Sequence, residues 1–368
     1  MITQHKRLKH PPYIDIPISP KTDLLKKVGE AVKLGDWVCE NEYAPLSGTL
    51  SHIDVERGFC RIENDRQDTL SDAFLTLSPK ERVRRYFKTL EPYERFSVDS
   101  QAPMLFFTYL SNEPFIHLDT QTADAIRTAF KRFIHTYKTW FKPKHITLVV
   151  KEEERLAYEA YLGHQGLDYH TVHPEKHADH LYKAINDLTH QALKRNTPYQ
   201  ALGLHSLFHL NRILIEQTPP TENWFTAAGE GFAEATLMQA RLYTPITLLH
   251  AVLELDKTPP PLWDGLILRE ETLSAWPQSL TKRTTSWYGK TALQTEVMPC
   301  IECGRCVKHC PVNLFPQKIH KALTLNQNVT RLAPSACLGC GLCSFHCPSR
   351  IPLKDAVLEA AMMERRHG

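Results

Sequence analysis

Short apolar pieces separated by turn residues characterise the first sixty positions. Val28 to Glu40 and Ala44 to Leu50 alternate β-prone residues with Gly and Pro, which is typical of short strands joined by tight turns. Residues 1–62 are therefore predicted to form a small β-barrel. Its two cysteines, Cys39 and Cys60, are expected to be buried and inert.

The hydrophobic pattern changes in residues 63–215. Met104 to Leu110 and His145 to Val150 are apolar runs of strand length, whereas Gln121 to Phe141 repeats apolar residues at helical spacing. Strands that alternate with amphipathic helices predict an α/β layer with a mostly parallel sheet.

Proline-rich breaks delimit a third segment, residues 216–290. Two strands are predicted at Trp224 to Gly231 and Ala235 to Leu242, followed by a helix from Ile246 to Leu255 with Pro245 at its first position. The remaining segment, 291–368, carries most cysteines and ends in a predicted helix from Leu353 to Arg366. The chain is thus predicted to be a multidomain α+β protein.

Composition excludes several classes of protein. The 368 residues are 42% hydrophobic and 23% charged, as in globular proteins. There is no apolar run long enough to span a membrane, and the basic residues Lys6, Arg7 and Lys9 run into prolines rather than into a signal-peptide core. We expect a cytoplasmic protein without a transmembrane segment and without a nucleic-acid partner.

Cysteine distribution points to a metal site. Of ten cysteines, eight lie between Cys300 and Cys347, and a chain without an export signal is not expected to use them as a disulfide framework. Residues 300–368 also carry nine Lys and Arg against four Asp and Glu. The excess of basic over acidic residues therefore lies in the same segment as the eight cysteines.

These cysteines form two copies of one motif, with spacing x2, x2, x3 and a following proline, Pro311 or Pro348. Three thiolates at this spacing hold one [4Fe-4S] cluster, and the fourth binds the other cluster of a two-cluster module. A pair of structural zinc sites is the alternative, although zinc motifs usually supply two ligands per knuckle. The predicted ligands are Cys300, Cys303, Cys306 and Cys347 for one cluster and Cys337, Cys340, Cys343 and Cys310 for the other.

Other residues of this segment have predicted supporting roles. Gly304, Gly339 and Gly341 are expected to let backbone N–H groups approach the sulfurs. Basic side chains would moderate cluster charge or form a docking face for an acidic electron carrier; solvated surface charge is the simpler interpretation. They are Arg305, Lys308, His309, Arg331 and Arg350.

The chain resembles RnfC, the peripheral subunit of the Rnf ion-translocating electron-transport complex. The resemblance rests on the cysteine motifs and on the Ala44-Pro-Leu-Ser-Gly-Thr turn of a biotinyl- or lipoyl-like barrel, whose hairpin Glu40 to Ala44 lacks a carrier lysine. Weaker likenesses are Ser78-Pro-Lys-Glu-Arg and Asn112-Glu-Pro-Phe. The resemblance implies a barrel-sandwich domain (1–62), an α/β domain (63–215), a β-grasp-like domain (216–290) and an α-helical dicluster ferredoxin domain (291–368).

The resemblance also implies a function. Two [4Fe-4S] clusters would relay electrons between a soluble carrier or ferredoxin-like subunit and membrane-embedded Rnf-type subunits, with the chain peripheral on the cytoplasmic face of the inner membrane. Members that oxidise NADH carry a glycine-dense loop for flavin and nucleotide phosphates. The matching interval, Arg82 to Ala102, contains no glycine, so FMN and direct NADH oxidation are not expected, and no catalytic side chain is assigned.

Two features leave alternatives open. Gly229-Glu-Gly231 is interpreted as a turn, and five histidines, His164, His170, His173, His177 and His180, as a surface loop, with a zinc or iron site as the other possibility. A flavin-dependent NADH dehydrogenase with atypical loops, or an assembly module with structural clusters, also fits the cysteines. Flavin analysis and redox titration separate these hypotheses.

Overall fold

The computed structural model describes residues 4–19, 24–88, 94–100, 104–108, 120–143, 145–152, 155–162, 166–172, 199–255, 262–264, 271–272, 279–282, 284, 286–289 and 296–367. Before residue 290 the described residues form three sheets, and a largely helical segment follows. Within the described part of the chain, no helix combines the length and apolar character needed to cross a membrane.

The first sheet is antiparallel and four-stranded, with strand order β2-β5-β4-β3. Alternation along its strands places Ile14, Ile16 and Ile62 in one core, with Cys39 and Cys60 beside them. Burial of both cysteines is as predicted, and it raises the pKa of the Cys60 thiol to about 12. The strands are β2 (Tyr13–Pro17), β3 (Ala31–Val32), β4 (Gly48–Asp54) and β5 (Phe59–Asn64).

The hairpin of residues 40–44 is held from outside this sheet. The Lys282 ammonium donates to Glu42 Oε2 at 3.0 Å, and the Tyr243 hydroxyl donates to the same carboxylate. Lys282 also lies 4.3 Å from the centre of the Tyr43 ring. The hairpin is therefore fixed by Tyr243 and Lys282.

The second sheet is entirely parallel, with strand order β8-β7-β6-β9. Its strands are β6 (Met104–Thr108), β7 (His145–Lys151), β8 (Asp168–Val172) and β9 (Tyr199–Gly203). Helices between them supply the crossovers that parallel strands require, as the sequence pattern predicted. They are Thr120–Phe141, Arg155–Leu162 and, after β9, Leu204–Leu214.

Two short helices link the first sheet to the second. They are Asp72–Leu75 and Pro79–Tyr86. Ser78 and Glu81 form a capping box at the start of the second helix, and Pro79 occupies its first turn, where a missing N–H costs no hydrogen bond. The buried face of this helix packs Val83 and Tyr86 against the core beneath the parallel sheet.

The third sheet is mixed and six-stranded, with order β1-β11-β10-β14-β12-β13. Its central antiparallel pair confirms the two strands predicted from the sequence. The strands are β1 (Gln4–Leu8), β10 (Glu222–Gly229), β11 (Thr236–Arg241), β12 (Leu262–Asp264), β13 (Glu271–Thr272) and β14 (Ser286–Gly289).

Two details of this region differ from the sequence prediction. The strand Gln4–Leu8 pairs with Thr236–Arg241 instead of joining the β-strands of residues 13–64, because the prolines at 11 and 12 separate it from them. The helix after β11 spans Ile246–Leu253 and has Pro245 as its N-cap rather than at its first helical position. The boundaries at 62, 215 and 290 stay predictions.

The C-terminal segment consists of short helices joined by loops. Its α-helices are Arg305–Lys308, Pro316–Thr324, Leu342–Phe345 and Leu353–His367, with 3-10 turns at Thr330–Leu332 and Pro334–Ala336. The last helix confirms its sequence prediction. Two small apolar clusters, one around Ile319 and Val357 and one around Ile351 and Leu353, hold the helices together.

Candidate metal centre

Each cysteine motif folds into a loop that leads into a single helical turn. The third cysteine of each motif, Cys306 or Cys343, lies within that turn. The residues that precede the turns, Gly304 (φ 70°) and Gly341 (φ 78°), adopt left-handed backbone conformations, which glycine adopts without steric cost. A Cβ built at Gly304 would meet no described atom within 4 Å, so backbone conformation, not close packing, requires this glycine.

Four cysteines of the first tetrad, Cys300, Cys303, Cys306 and Cys347, line one pocket. Burial raises the pKa of the Cys306 thiol, and the neighbouring charges of Cys347 and Cys300 raise it further. The Cys306 thiol also donates a hydrogen bond to Gln317 Oε1 at 3.3 Å. The structure thus brings a cysteine from the second motif to three from the first.

The second tetrad comprises Cys310, Cys337, Cys340 and Cys343. Burial, with the nearby Cys337 and Cys310, raises the pKa of Cys340 to about 12. The pKa of Cys343 rises to about 12 for the same reasons, with Cys340 as an additional neighbour. Cys310 of the first motif therefore lies with the first three cysteines of the second.

Backbone amides already point at the sulfurs of the second tetrad. The Leu314 N–H donates to Cys310 Sγ at 3.2 Å, and the Gly339 N–H donates to Cys337 Sγ at 3.3 Å. Such donors stabilise thiolate charge and tune an iron–sulfur centre. The contact of Gly339 agrees with the role predicted for it from the sequence.

This donor set fits iron–sulfur clusters. All eight cysteines are free thiols, and in a cubane each thiolate binds a different iron, so the sulfurs lie farther apart than ligands of one ion. Among the described residues, no three His, Cys, Asp or Glu side chains are arranged around a single metal ion.

Two histidines stack between the motifs. His309 precedes Cys310 and His346 precedes Cys347, and their ring centroids are 3.6 Å apart with planes inclined by 11°. The sequence identified His309 only as a charge-moderating residue and did not identify the pair. The repeated His-Cys-Pro tripeptide was the available signal, because two copies of one motif related by internal symmetry place equivalent residues face to face.

The other predicted residues have mixed outcomes. Four of the basic side chains are exposed: Arg305, Lys308, Arg331 and Arg350. Exposure is compatible with moderation of cluster charge, with a docking face and with ordinary solvated surface charge. Gly229 and Gly231 have positive φ values at the turn between β10 and β11, as expected for a turn. Of the five clustered histidines, only His170 lies within the described residues.

Known proteins share the cysteine segment and much of the remaining chain. The family described as a 4Fe-4S dicluster domain matches residues 299–351. RnfC of the ion-translocating oxidoreductase complex from Haemophilus influenzae (strain PittEE) is 23% identical over 346 residues, covering 81% of this chain and 53% of the relative. RnfC from Buchnera aphidicola subsp. Baizongia pistaciae (strain Bp) is 24% identical over 194 residues, covering 49% of this chain and 38% of the relative.

The resemblance to RnfC is confirmed. The chain spans only about half the length of the RnfC relatives it matches. Among solved structures, an NAD+-reducing [NiFe]-hydrogenase in the H2-reduced state aligns with a TM-score of 0.45 and 10% identity, covering 80% of this chain and 63% of that one. The similarity to RnfC and the 4Fe-4S dicluster match both include the cysteine segment described above.

Proposed function

We propose that the chain relays single electrons through two [4Fe-4S] clusters, one at each tetrad, between a soluble redox carrier and a membrane-bound ion-translocating oxidoreductase. The observation that carries this proposal is the spatial division of eight free thiols into two tetrads that exchange their fourth cysteines. When bound, each cluster supplies one-electron redox capacity.

The residues of the chain determine where these clusters are held. Because Cys310 and Cys347 are exchanged between motifs, neither tetrad is complete without the other motif. The stacked His309 and His346 rings add a contact between the two cysteine motifs. This arrangement keeps the two sites adjacent, as electron transfer between them requires.

The names of the relatives support the partners that we propose. Those proteins are named as a component of an ion-translocating oxidoreductase complex, so we place this chain beside membrane-embedded Rnf-type subunits and a ferredoxin-like subunit or carrier, on the cytoplasmic face of the membrane. FMN is not part of the proposal, because the interval from Arg82 to Ala102 contains no glycine to cradle phosphates. Flavin released on denaturing the purified protein would contradict that part.

Iron counting in paired variants tests the exchanged ligands. The anaerobically reconstituted protein should hold about eight irons and give a paramagnetic signal after dithionite reduction. Cys310→Ala with Cys343→Ala removes two ligands of one tetrad, so about four irons should remain. Cys310→Ala with Cys306→Ala damages both tetrads and should leave almost none.

The same pair of variants separates the alternatives. If each motif held its own cluster, the iron contents of the two double variants would be reversed. The variant Cys310→Ala with Cys306→Ala would keep about four irons, and the variant Cys310→Ala with Cys343→Ala would keep almost none. Zinc instead of iron in the purified wild-type chain, or clusters that no reductant reduces, would overturn the proposed relay.

A further inference from the structure

The carboxyl edge of the parallel sheet holds a buried acidic side chain that the proposed relay does not use. Strands β6 and β9 end side by side at this edge, with Thr108 opposite Gly203 in their register, and the helix Leu204–Leu214 begins directly after Gly203. Crevices at the carboxyl ends of parallel strands are where α/β folds bind ligands. Glu94, which is only 7% exposed, contacts the chain at this point.

The Glu94 carboxylate binds the start of the helix with both of its oxygens. Oε1 accepts a hydrogen bond from the Gly203 N–H at 2.6 Å, and Oε2 accepts one from the Ser206 hydroxyl at 2.7 Å. Ser206 is fully buried, and Gly203, the N-cap, has no side chain that could accept from the first turn. The first N–H groups of a helix carry partial positive charge and lack partners within the helix, so they bind anions. Glu94 therefore makes the contacts that an external oxyanion would make at this position.

The segment of residues 94–100 that carries this carboxylate is held along the edge of the sheet. The Arg95 N–H donates to the Ala201 carbonyl at 2.9 Å, and the Ala201 N–H donates to the Arg95 carbonyl at 2.8 Å. The Gln200 side chain accepts from one backbone N–H of the segment and donates to one backbone carbonyl, each at 3.1 Å. These bonds continue the sheet beyond β9, so paired backbone holds the carboxylate at the helix.

We propose that Glu94 is a built-in anionic ligand, whose carboxylate occupies the oxyanion position at the start of the helix Leu204–Leu214 and closes this edge of the sheet to the carboxylate or phosphate groups of other molecules. The contact is autoinhibitory, because the chain itself supplies the group that a ligand would otherwise bring. Glu94 lies in the interval Arg82 to Ala102, which contains no glycine. The inference goes beyond the proposed relay, which concerns only the cysteine segment.

Chemical rescue of the full-length chain with formate tests this proposal. Glu94→Ala removes the acceptor of two buried donors, so the ratio of folded to unfolded chain should fall at least about tenfold. Formate, a carboxylate small enough for the vacated space, should raise that ratio about tenfold at about ten times its dissociation constant, and should leave the wild type unchanged. Sodium chloride at equal ionic strength controls for screening. Urea unfolding followed with tryptophan fluorescence measures both ratios, because all six tryptophans precede residue 290.

Two further variants locate the bound formate. Glu94→Gln keeps the shape of the side chain and removes its charge, so the ratio of folded to unfolded chain should fall several-fold. Added formate should not restore it, because the position stays filled. Ser206→Ala in the Glu94→Ala background removes one donor and should raise the formate dissociation constant about tenfold.

Three results would overturn the proposal. An equal response of the wild type and Glu94→Ala to formate would show that the wild-type position is open or that the effect is a general one of the salt. A folded Glu94→Ala that does not respond would show that Glu94 only fills space. Wild-type stability of Glu94→Gln would show that the negative charge is not needed, and this readout remains decisive if Glu94→Ala does not fold.

Iron content keeps this proposal distinguishable from the relay. The iron of the wild-type chain tests the two cysteine tetrads and does not depend on Glu94. A chain that binds no iron–sulfur cluster would overturn the relay and leave the formate experiment unchanged, whereas a failed rescue would overturn the role of Glu94 and leave the relay intact.

Discussion

The sheets of residues 4–289 and the cysteine segment of residues 296–367 are stabilised in different ways. In the described residues, the largest fully buried side chains, from Trp287 to Ile16, all precede residue 290. The cysteine segment buries small clusters around Ile319 and Ile351. Burial of apolar area is the main favourable term in folding, so the sheets have their own source of stability and the cysteine segment needs another.

Buried charge illustrates the same contrast. Arg241, fully buried, donates to the Lys9 and Pro45 carbonyls and lies 2.6 Å from Asp68 Oδ2, so its desolvation is offset by protein partners. In the cysteine segment, burial raises the pKa of the Cys340 and Cys343 thiols. The protein alone therefore favours the neutral thiols, and the thiolates would need a stabilising partner such as the proposed clusters.

Iron removal should produce the largest difference between the two regions. Stripping the clusters with an oxidant and a chelator should abolish amide-exchange protection of the helices Pro316–Thr324 and Leu353–His367, because metal binding supplies the folding free energy of such segments. The sheets should keep their unfolding transition. All six tryptophans precede residue 290, so tryptophan fluorescence follows the sheets alone.

Reconstitution with iron and sulfide provides the control for this experiment, since protection of both helices should return. Persistent protection of Leu353–His367 in the stripped protein would show that the clusters around Ile319 and Ile351 suffice for folding. The contrast between the two regions would then be wrong.

The sequence predicted the fold best where the elements carry a long, regular apolar pattern. Periodicity identified the parallel strands Met104–Thr108 and His145–Lys151 and the helix Thr120–Phe141, because their sequences repeat apolar residues at strand or helix spacing. It could not place Gln4–Leu8 beside Thr236–Arg241. Pairing between strands more than two hundred residues apart leaves no local signal.

The candidate site was predictable to a different extent. Motif spacing alone predicted eight thiol ligands and the exchange of Cys310 and Cys347, since ligand geometry is set by the cluster; this ligand assignment stays a prediction. It did not reveal that the side chains of Val297, Met298 and Ile301 are exposed, because exposure depends on what the rest of the chain leaves uncovered. Single exposed apolar residues are also common on any protein surface.

A buried histidine should give the sheets a pH dependence. Burial, with the nearby His205, Lys282 and Arg212, lowers the pKa of His209 from 6.5 to about 3. Between these pH values the unfolded chain binds a proton that the folded chain does not, so stability falls as the pH is lowered. His209→Gln should reduce this slope by up to about 1.4 kcal/mol per pH unit, measured by urea unfolding followed with tryptophan fluorescence.

Leu210→Val is the matched control for this prediction. Leu210 is fully buried on the same helix and carries no titratable group, so its truncation should lower stability by about 1 kcal/mol at every pH without altering the slope. Parallel pH profiles for His209→Gln and the wild type would show that His209 does not cause the dependence.

The smallest expected effect concerns backbone conformation within the cysteine segment. Glu302 (φ 55°) and Gly339 (φ 67°) occupy equivalent positions, each directly before the second cysteine of its motif. A residue with a Cβ is strained in this left-handed region, whereas glycine is not. Glu302→Gly should therefore stabilise the iron-loaded segment by about 0.5 kcal/mol, after the greater freedom of glycine in the unfolded chain is subtracted.

Glu302→Ala separates strain from charge, because it removes the exposed carboxylate near Lys321 and keeps the Cβ. Amide exchange in the helix Leu353–His367 should slow for Glu302→Gly but not for Glu302→Ala, since an exposed ion pair contributes little. Gly339→Ala should have the opposite effect, about 1 kcal/mol of destabilisation, because its new Cβ would lie 3.9 Å from Leu358 and the cost arises from φ alone. Identical exchange in all three variants would mean that the bound clusters, rather than the residues at these two positions, determine the stability of both loops.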